Sequence, residues 1–227
     1  WPPPLGRAAG GMGMEALPGP PPHRRSAEGA EEEEEEWDRG AAWFAFAPSP
    51  AYAALEARFR GEVLASADPQ RLALFCAEHP QHAGALLQLA VALAHSGQMD
   101  RAADYVQRCL FYHEAAYAEA FRVQERACRL DACAEANRTY LAALFRHMQM
   151  SGMMGSTRTA MEVGKMLLSL DPTGDPMGVL LCLDYYAVVC GEFDFVISIV
   201  EEGLPIGYGP EDLATGGGGG GGGATSA

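Results

Sequence analysis

The sequence predicts an all-α protein: an irregular tetratricopeptide-like α-solenoid of stacked helical hairpins with disordered ends. Three observations carry this. From Ser49 to Glu202 apolar residues recur at spacings of three and four, the period of a helix with one buried face. Ser-Pro and Asp-Pro pairs punctuate the chain where a helix would start or stop. No stretch alternates apolar and polar residues as a half-buried strand would, and β-branched residues are sparse before Val179.

The elements follow in order. Ser49-Pro50 opens a helix whose face is Tyr52, Leu55, Phe59 and Val63, and Asp68-Pro69 opens a short one ending near His79-Pro80. Leu86, Leu89, Ala90 and Leu93 form the next face. After a break at Ser96-Gly97, Ala102, Val106, Cys109 and Leu110 form another. A helix is expected from Tyr117 to Arg126, then a loop from Cys128 to Asp131. Tyr140, Leu141, Leu144, Phe145 and Met148 make the following face.

The stretch Arg158 to Ala187 reads as helix, loop and helix, and the rest stacks on it. Ala160, Val163, Leu167 and Leu170 share a face, Asp171-Pro172 ends that helix, and Asp175-Pro176 caps and starts the next. Met177 to Cys190 is apolar nearly all round, so it is expected to be central and covered on both sides. Gly97 with Ala102, Gly155 with Ala160 and, more weakly, Gly191 with Val196 match tetratricopeptide-like hairpins. There a glycine makes the turn and a small residue lets the helices cross closely. The intervals, 155−97 = 58 and 191−155 = 36 residues, are irregular. Gly164 is costly inside a helix, which points to a close crossing.

These signals divide the chain into an acidic, Pro/Gly-rich disordered arm over 1–42, a helical-repeat domain over 43–204, and a flexible Gly-rich tail over 205–227. In the arm and just past its end, Trp1-Pro2-Pro3-Pro4 and the aromatics Trp37, Trp43, Phe44 and Phe46 stand out. They either pack on the first helices as an extended arm, the favoured reading, or form a short docking motif for a partner. The chain begins at Trp1 rather than Met and ends in glycines, which reads as a fragment or an imperfect gene model.

The 227 residues carry a net charge of −14. Residues 1–48 hold nine acidic and four basic residues (9−4 gives −5), and residues 49–227 hold 21 and 12 (21−12 gives −9). The helical part is acidic in its own right, which disfavours phosphate backbones and anionic membranes. Six cysteines, at 76, 109, 128, 133, 182 and 190, sit mostly among apolar residues with no CxxC pair, as in a reducing compartment. No signal peptide is visible, and the apolar run Val179 to Cys190 is too short to span a bilayer.

No catalytic residue, metal site or cofactor site is expected. Cys76, His79 and His82 lack a second ligand pair, and Cys128 and Cys133 lack a following His. No GxSxG, Walker, HExxH or Rossmann fingerprint occurs, and the glycine run is low complexity. Asn137-Arg138-Thr139 is a glycosylation sequon that means little inside a helix. Arg122, Arg126 and Arg129, at i, i+4 and i+7, read as a solvated stripe or as an anchor for an acidic partner. Asp184 lies among Leu181, Leu183, Tyr185 and Tyr186, and if buried it needs a partner. Arg158 or Arg138 would supply one, as a structural clamp between helices.

Several stretches, in order, resemble the transcription factor 25 family, which includes subunit 1 of the ribosome quality control complex. They are His79-Pro80-Gln81-His82 with Leu86-Leu87-Gln88-Leu89; Cys128-Arg129-Leu130-Asp131; Asn137-Arg138-Thr139-Tyr140 through Ala143-Leu144-Phe145-Arg146-His147; and Arg158-Thr159-Ala160 through Leu167 to Pro172, Asp175-Pro176 and Asp184. Trp1-Pro2-Pro3 and Phe44 to Tyr52 fit the entry to the family's helical region. The likeness covers most of residues 43–204. Val163-Gly164 stands where the family has an aromatic-Cys pair, and Met154-Gly155-Ser156 where it has Arg-Gly-Cys. The resemblance implies a non-catalytic adaptor, cytosolic and also nuclear. Such an adaptor works on 60S ribosomal subunits with an E3 ubiquitin ligase, a nascent-chain-binding factor and an AAA ATPase, assisting ubiquitination and extraction of stalled nascent chains. It implies no cofactor and no direct nucleic acid or membrane contact by this acidic segment. The alternative it carries is a transcriptional repressor acting through protein contacts.

Overall fold

Ala42–Pro48, with Trp43, Phe44 and Phe46 at its centre, forms a β-strand and not an arm. The computed structural model describes residues 1–22, 40–125, 127–172 and 174–201, and this strand (β2) is the middle of a three-stranded sheet. Met12–Ala16 (β1) pairs with it antiparallel, Met12 opposite Pro48 and Ala16 opposite Phe44. Cys128–Leu130 (β3) pairs with its other edge in parallel, Ala42 opposite Cys128 and Phe44 opposite Leu130. The expectation that no strand would form is therefore corrected. Trp43, Phe44, Phe46 and Ala47 are all buried, so both faces of β2 are covered and the alternation that marks a half-buried strand is missing. The expected disorder over 1–42 is likewise corrected for β1. The acidic run Glu31–Glu36, Trp37 and the tail 205–227 lie outside the described residues.

The helices are Pro50–Arg58 (α1), Pro69–Glu78 (α2), Ala83–His95 (α3), Met99–Glu114 (α4), Glu135–Met153 (α5), Thr157–Leu170 (α6), Leu180–Cys190 (α7) and Phe193–Glu201 (α8). The molecule is mostly helical, and from α2 to α8 each helix packs on the next, while α1 and α2 meet through the turn Phe59–Val63 between them. The punctuation acts as expected. Ser49 Oγ accepts from Tyr52 N at 3.0 Å and Asp68 Oδ1 from Gln70 N at 2.9 Å, satisfying open donors of α1 and α2. Asp175 accepts from Val179 N at 2.8 Å and Leu180 N at 3.1 Å, so α7 starts three residues later than Met177. His82 Nδ1 caps α3 by accepting from Ala85 N at 3.1 Å.

The glycines at the ends of α3, α5 and α7 share one backbone conformation. Gly97, Gly155 and Gly191 adopt φ values of 78°, 84° and 78°, a left-handed conformation that side chains resist. Ala102 and Ala160 are fully buried at the crossings. A Cβ on Gly164 would stand 2.9 Å from Leu183 Cδ1 and 3.1 Å from Met148 Sδ, so its absence lets α5, α6 and α7 meet.

One expected helix is absent. Residues 117–121 are coil and turn, and only a 3-10 turn follows at Val123–Glu125. Tyr117 and Phe121 instead lie over the sheet, Phe121 with its ring centroid 5.1 Å from Phe44 and Tyr117 at 6.4 Å from Phe46. Their i, i+4 spacing is compatible with a helix, but burial against β2 decides their conformation.

Asn137 ties the sheet to the helices. It is buried at the start of α5, accepts from Phe46 N at 2.8 Å and donates to Asp131 O at 3.0 Å. This satisfies backbone groups at the edge of β2, and it places the sequon asparagine inside the protein.

Candidate partner surface

The arginine stripe does not form. Arg129 is 2% exposed in β3, where its guanidinium donates to the Ser169 carbonyl at 3.0 Å near the end of α6 and to the Cys128 carbonyl at 3.2 Å. It thus serves the open carbonyls of a helix C-terminus and not a partner. Arg122 is on the surface beside Glu125, 3.2 Å away, and Arg126 lies outside the described residues. With no helix there, the i, i+4, i+7 relation has no geometric meaning.

The proposed clamp is absent as well. Asp184 is exposed and accepts from Tyr185 N at 2.7 Å. Arg158 pairs with Glu192 at 2.9 Å, tying α6 to the turn before α8, and Arg138 donates to the Ala132 carbonyl at 3.3 Å. The premise fails because α7 is covered on one side: Leu183 and Ala187 are buried, while Leu181 is 90% exposed and Tyr185, Val188 and Val189 are open too. Phe193 and Ile197 on α8 are also exposed. An apolar helix surface thus faces solvent at this end of the molecule, which isolated surface residues would not produce.

A half-buried polar cluster, with His82 at its buried end, lies where α1 meets α3 and α5, beside a cavity of about 260 Å³. His82 Nε2 stands 3.0 Å from Glu56 Oε2, and Arg60 Nε is 2.9 Å from Glu56 Oε1. Arg60 also pairs with Glu135. Burial pushes the Glu56 carboxyl up, but the hydrogen bond and charge of His82 and those of Arg60 outweigh it, holding the pKa below the usual value. The Tyr52 hydroxyl accepts from Ala83 N at 3.0 Å, stacks on His82 with centroids 5.2 Å apart, and is driven upward by burial. Each group here faces a partner, so the cluster fastens α1 to the start of α3. His82 caps α3 with one nitrogen and faces Glu56 with the other, a role that neither its place in the His79-Pro80-Gln81-His82 stretch nor its weak metal-ligand spacing reveals.

The buried thiols Cys76 and Cys109 are not activated. Burial pushes Cys76 up to about 12 and Cys109 higher still, which keeps both protonated and poorly nucleophilic. Among the described residues no group of three His, Cys, Asp or Glu side chains could hold a metal ion, and no helix is long and apolar enough to cross a membrane.

Comparison with known proteins agrees with the resemblance. A family model described as transcriptional repressor TCF25 matches residues 44–204. The human protein named ribosome quality control complex subunit TCF25 is 32% identical over 179 residues, 79% of this chain and 26% of the relative. The probable transcription factor claV of Ampulloclitocybe clavipes is 31% identical over 174 residues, 76% of this chain and 22% of the relative. Ribosome quality control complex subunit 1 of Schizosaccharomyces pombe is 29% identical over 178 residues, 78% and 27%. The chain therefore spans about a quarter of the length of these relatives. No solved structure matches it. Since the family model covers residues 44–204, from the middle strand through the last helix, the chain belongs to the TCF25 family.

Proposed function

We propose that this chain is the helical region of a non-catalytic adaptor in ribosome quality control, its hairpins continuing one another as an irregular tetratricopeptide-like solenoid. The observation that carries the reading is the family match over 44–204, together with relatives named as ribosome quality control complex subunits in human, mouse, Dictyostelium discoideum and two yeasts. The left-handed turn glycines and the buried Ala102 and Ala160 support the hairpin arrangement. The partnered polar cluster and the protonated thiols Cys76 and Cys109 favour a scaffold over an enzyme. In this role the protein acts in the cytosol with 60S subunits, an E3 ubiquitin ligase, a nascent-chain-binding factor and an AAA ATPase. It assists ubiquitination and extraction of stalled chains.

Affinity purification of the full chain from translating cells tests this. Co-recovery of 60S subunits with the ligase and the ATPase is the expected result, and absence of all three overturns it. A second reading, a nuclear repressor acting through protein contacts, is favoured by the family description and by the relative named as a transcription factor. Strictly nuclear localisation with no ribosome co-sedimentation would select it.

A further inference from the structure

We propose that the surface between Gln81 and the α4 residues Arg108 to Tyr112 is a binding groove for proline-rich peptides led by an aromatic residue. In this structure the chain's own Trp1-Pro2-Pro3-Pro4-Leu5 leader occupies it. The inference goes beyond the adaptor reading and stands or falls independently of it.

The leader is held as a peptide ligand is held. Trp1, Pro2 and Pro3 each precede a proline, and proline fixes its own φ, so the segment is confined to extended, polyproline-like backbone. Such backbone makes no internal hydrogen bonds and leaves its carbonyls to be read from outside. The groove reads them in sequence. The Tyr112 hydroxyl donates to the Pro2 carbonyl at 3.1 Å, and Gln81 Nε2 donates to the Pro3 carbonyl at 2.6 Å. Gln81 Oε1 then accepts from Leu5 N at 2.9 Å, so one amide grips the backbone on both sides of Pro4. Trp1 lies against Phe111 with ring centroids 5.4 Å apart, and the Arg108 guanidinium sits 5.9 Å from its ring. Aromatic walls with donors aimed at carbonyls are how proline-rich segments are generally recognised.

Two observations separate a ligand from a core element. The leader is shallow: Trp1 is 56% and Leu5 49% exposed. The groove is also larger than its occupant. Beside Leu5 lies a cavity of about 190 Å³, walled on one side by Pro4, Leu5 and Met12 and on the other by Tyr52, Leu55, His79 and Pro80. A partner with a bulkier apolar residue at the fifth position would fill space that Leu5 leaves open. The tethered leader competes with such a partner at an effective concentration of order millimolar, so it acts as a built-in competitor.

The test uses the full chain and a fluorescently labelled Trp-Pro-Pro-Pro-Leu-Gly peptide, followed by anisotropy. Replacing the chain's own prolines (Pro2→Gly, Pro3→Ser, Pro4→Gly) should free the groove and tighten peptide binding about tenfold, for an intrinsic Kd near 100 µM against the millimolar tether. In that background Tyr112→Phe with Gln81→Ala should weaken binding at least fivefold, while the thermal midpoint shows that the fold is kept. A peptide with alanines for the three prolines should not bind. Equal affinity with and without the leader prolines overturns the proposal, as does binding indifferent to the Tyr112→Phe and Gln81→Ala changes. Dissociation of a dimer by the peptide would overturn the choice of partner and assign the groove to the leader of a second copy.

Discussion

The hairpins α5–α6 and α7–α8 look alike in sequence and sit differently in the molecule. Both are rich in apolar residues and both turn at a left-handed glycine, Gly155 in one and Gly191 in the other. In the first, Tyr140, Leu141, Leu144, Met148, Ala160, Met161, Leu167 and Leu170 are all buried, because β2 and β3, α4 and α7 cover it from several directions. In the second, among the described residues, α6 alone covers one side, and Leu181, Tyr185, Val188, Phe193 and Ile197 stay open. Hydrophobicity tells how much surface a helix could bury; the number of neighbours decides how much it does bury.

The largest expected effect lies in the covered region. Phe44 is 1% exposed at the centre of β2, facing Phe121. Phe44→Ala should destabilise the protein by about 4 kcal/mol, through lost transfer energy and the cavity left behind. Urea denaturation followed by circular dichroism checks it. A loss below about 1 kcal/mol would mean that the sheet is not an organising part of the core and would erase the contrast between the hairpins.

Next comes a pH effect from the same region. His113 is fully buried on α4, packs edge-on against Phe46, and donates from Nδ1 to the Cys109 carbonyl at 2.8 Å. Burial lowers its pKa from 6.5 to about 4, partly opposed by that hydrogen bond. The unfolded chain therefore takes up this proton at higher pH than the folded one. The stabilising contribution is complete above about 6.5 and is lost as pH falls toward 4. Between pH 7 and 4.5 the loss should be about 2 kcal/mol from this group. His113→Gln, whose amide can keep the carbonyl contact, should flatten that part of the stability–pH curve. An unchanged slope would show that the imidazole is not buried in neutral form.

The sequence made local structure legible where a single residue decides it. Ser49, Asp68 and Asp175 cap what their side-chain chemistry says they cap, and Gly164 marks a close crossing because a Cβ there would press on the ends of the Leu183 and Met148 side chains. It concealed what depends on distant partners. Trp43 to Phe46 carries no alternation because both faces of β2 are buried, and its pairing with Cys128–Leu130 joins residues more than 80 positions apart. Arg129 looked like part of a surface stripe because the 3.6-residue period was assumed across a segment that is not helical. Tyr112 carries no signal of its own, and Gln81 stands out only as part of the His79-Pro80-Gln81-His82 stretch. Only the Pro-rich leader, read as either an arm or a docking motif, hinted that something must receive it.

The smallest expected effect makes the comparison sharpest. Leu181 is the second residue of α7 and 90% exposed, so replacing it removes almost no buried surface. An aspartate there gives up some helix propensity, but near the N-terminus its charge is favoured by the helix dipole. Leu181→Asp should therefore leave stability within about 0.5 kcal/mol of the parent, as surface changes do. The same position would answer differently if the face were covered in solution. Burying a new carboxylate without a partner is expensive, and the cost would then rise to about 2 kcal/mol or more. Measuring the denaturation midpoint together with the sedimentation coefficient separates the cases. A stable, unchanged monomer shows a free apolar face, whereas destabilisation with a change in assembly size shows that α7 acquires in solution the second neighbour that α5 and α6 already have.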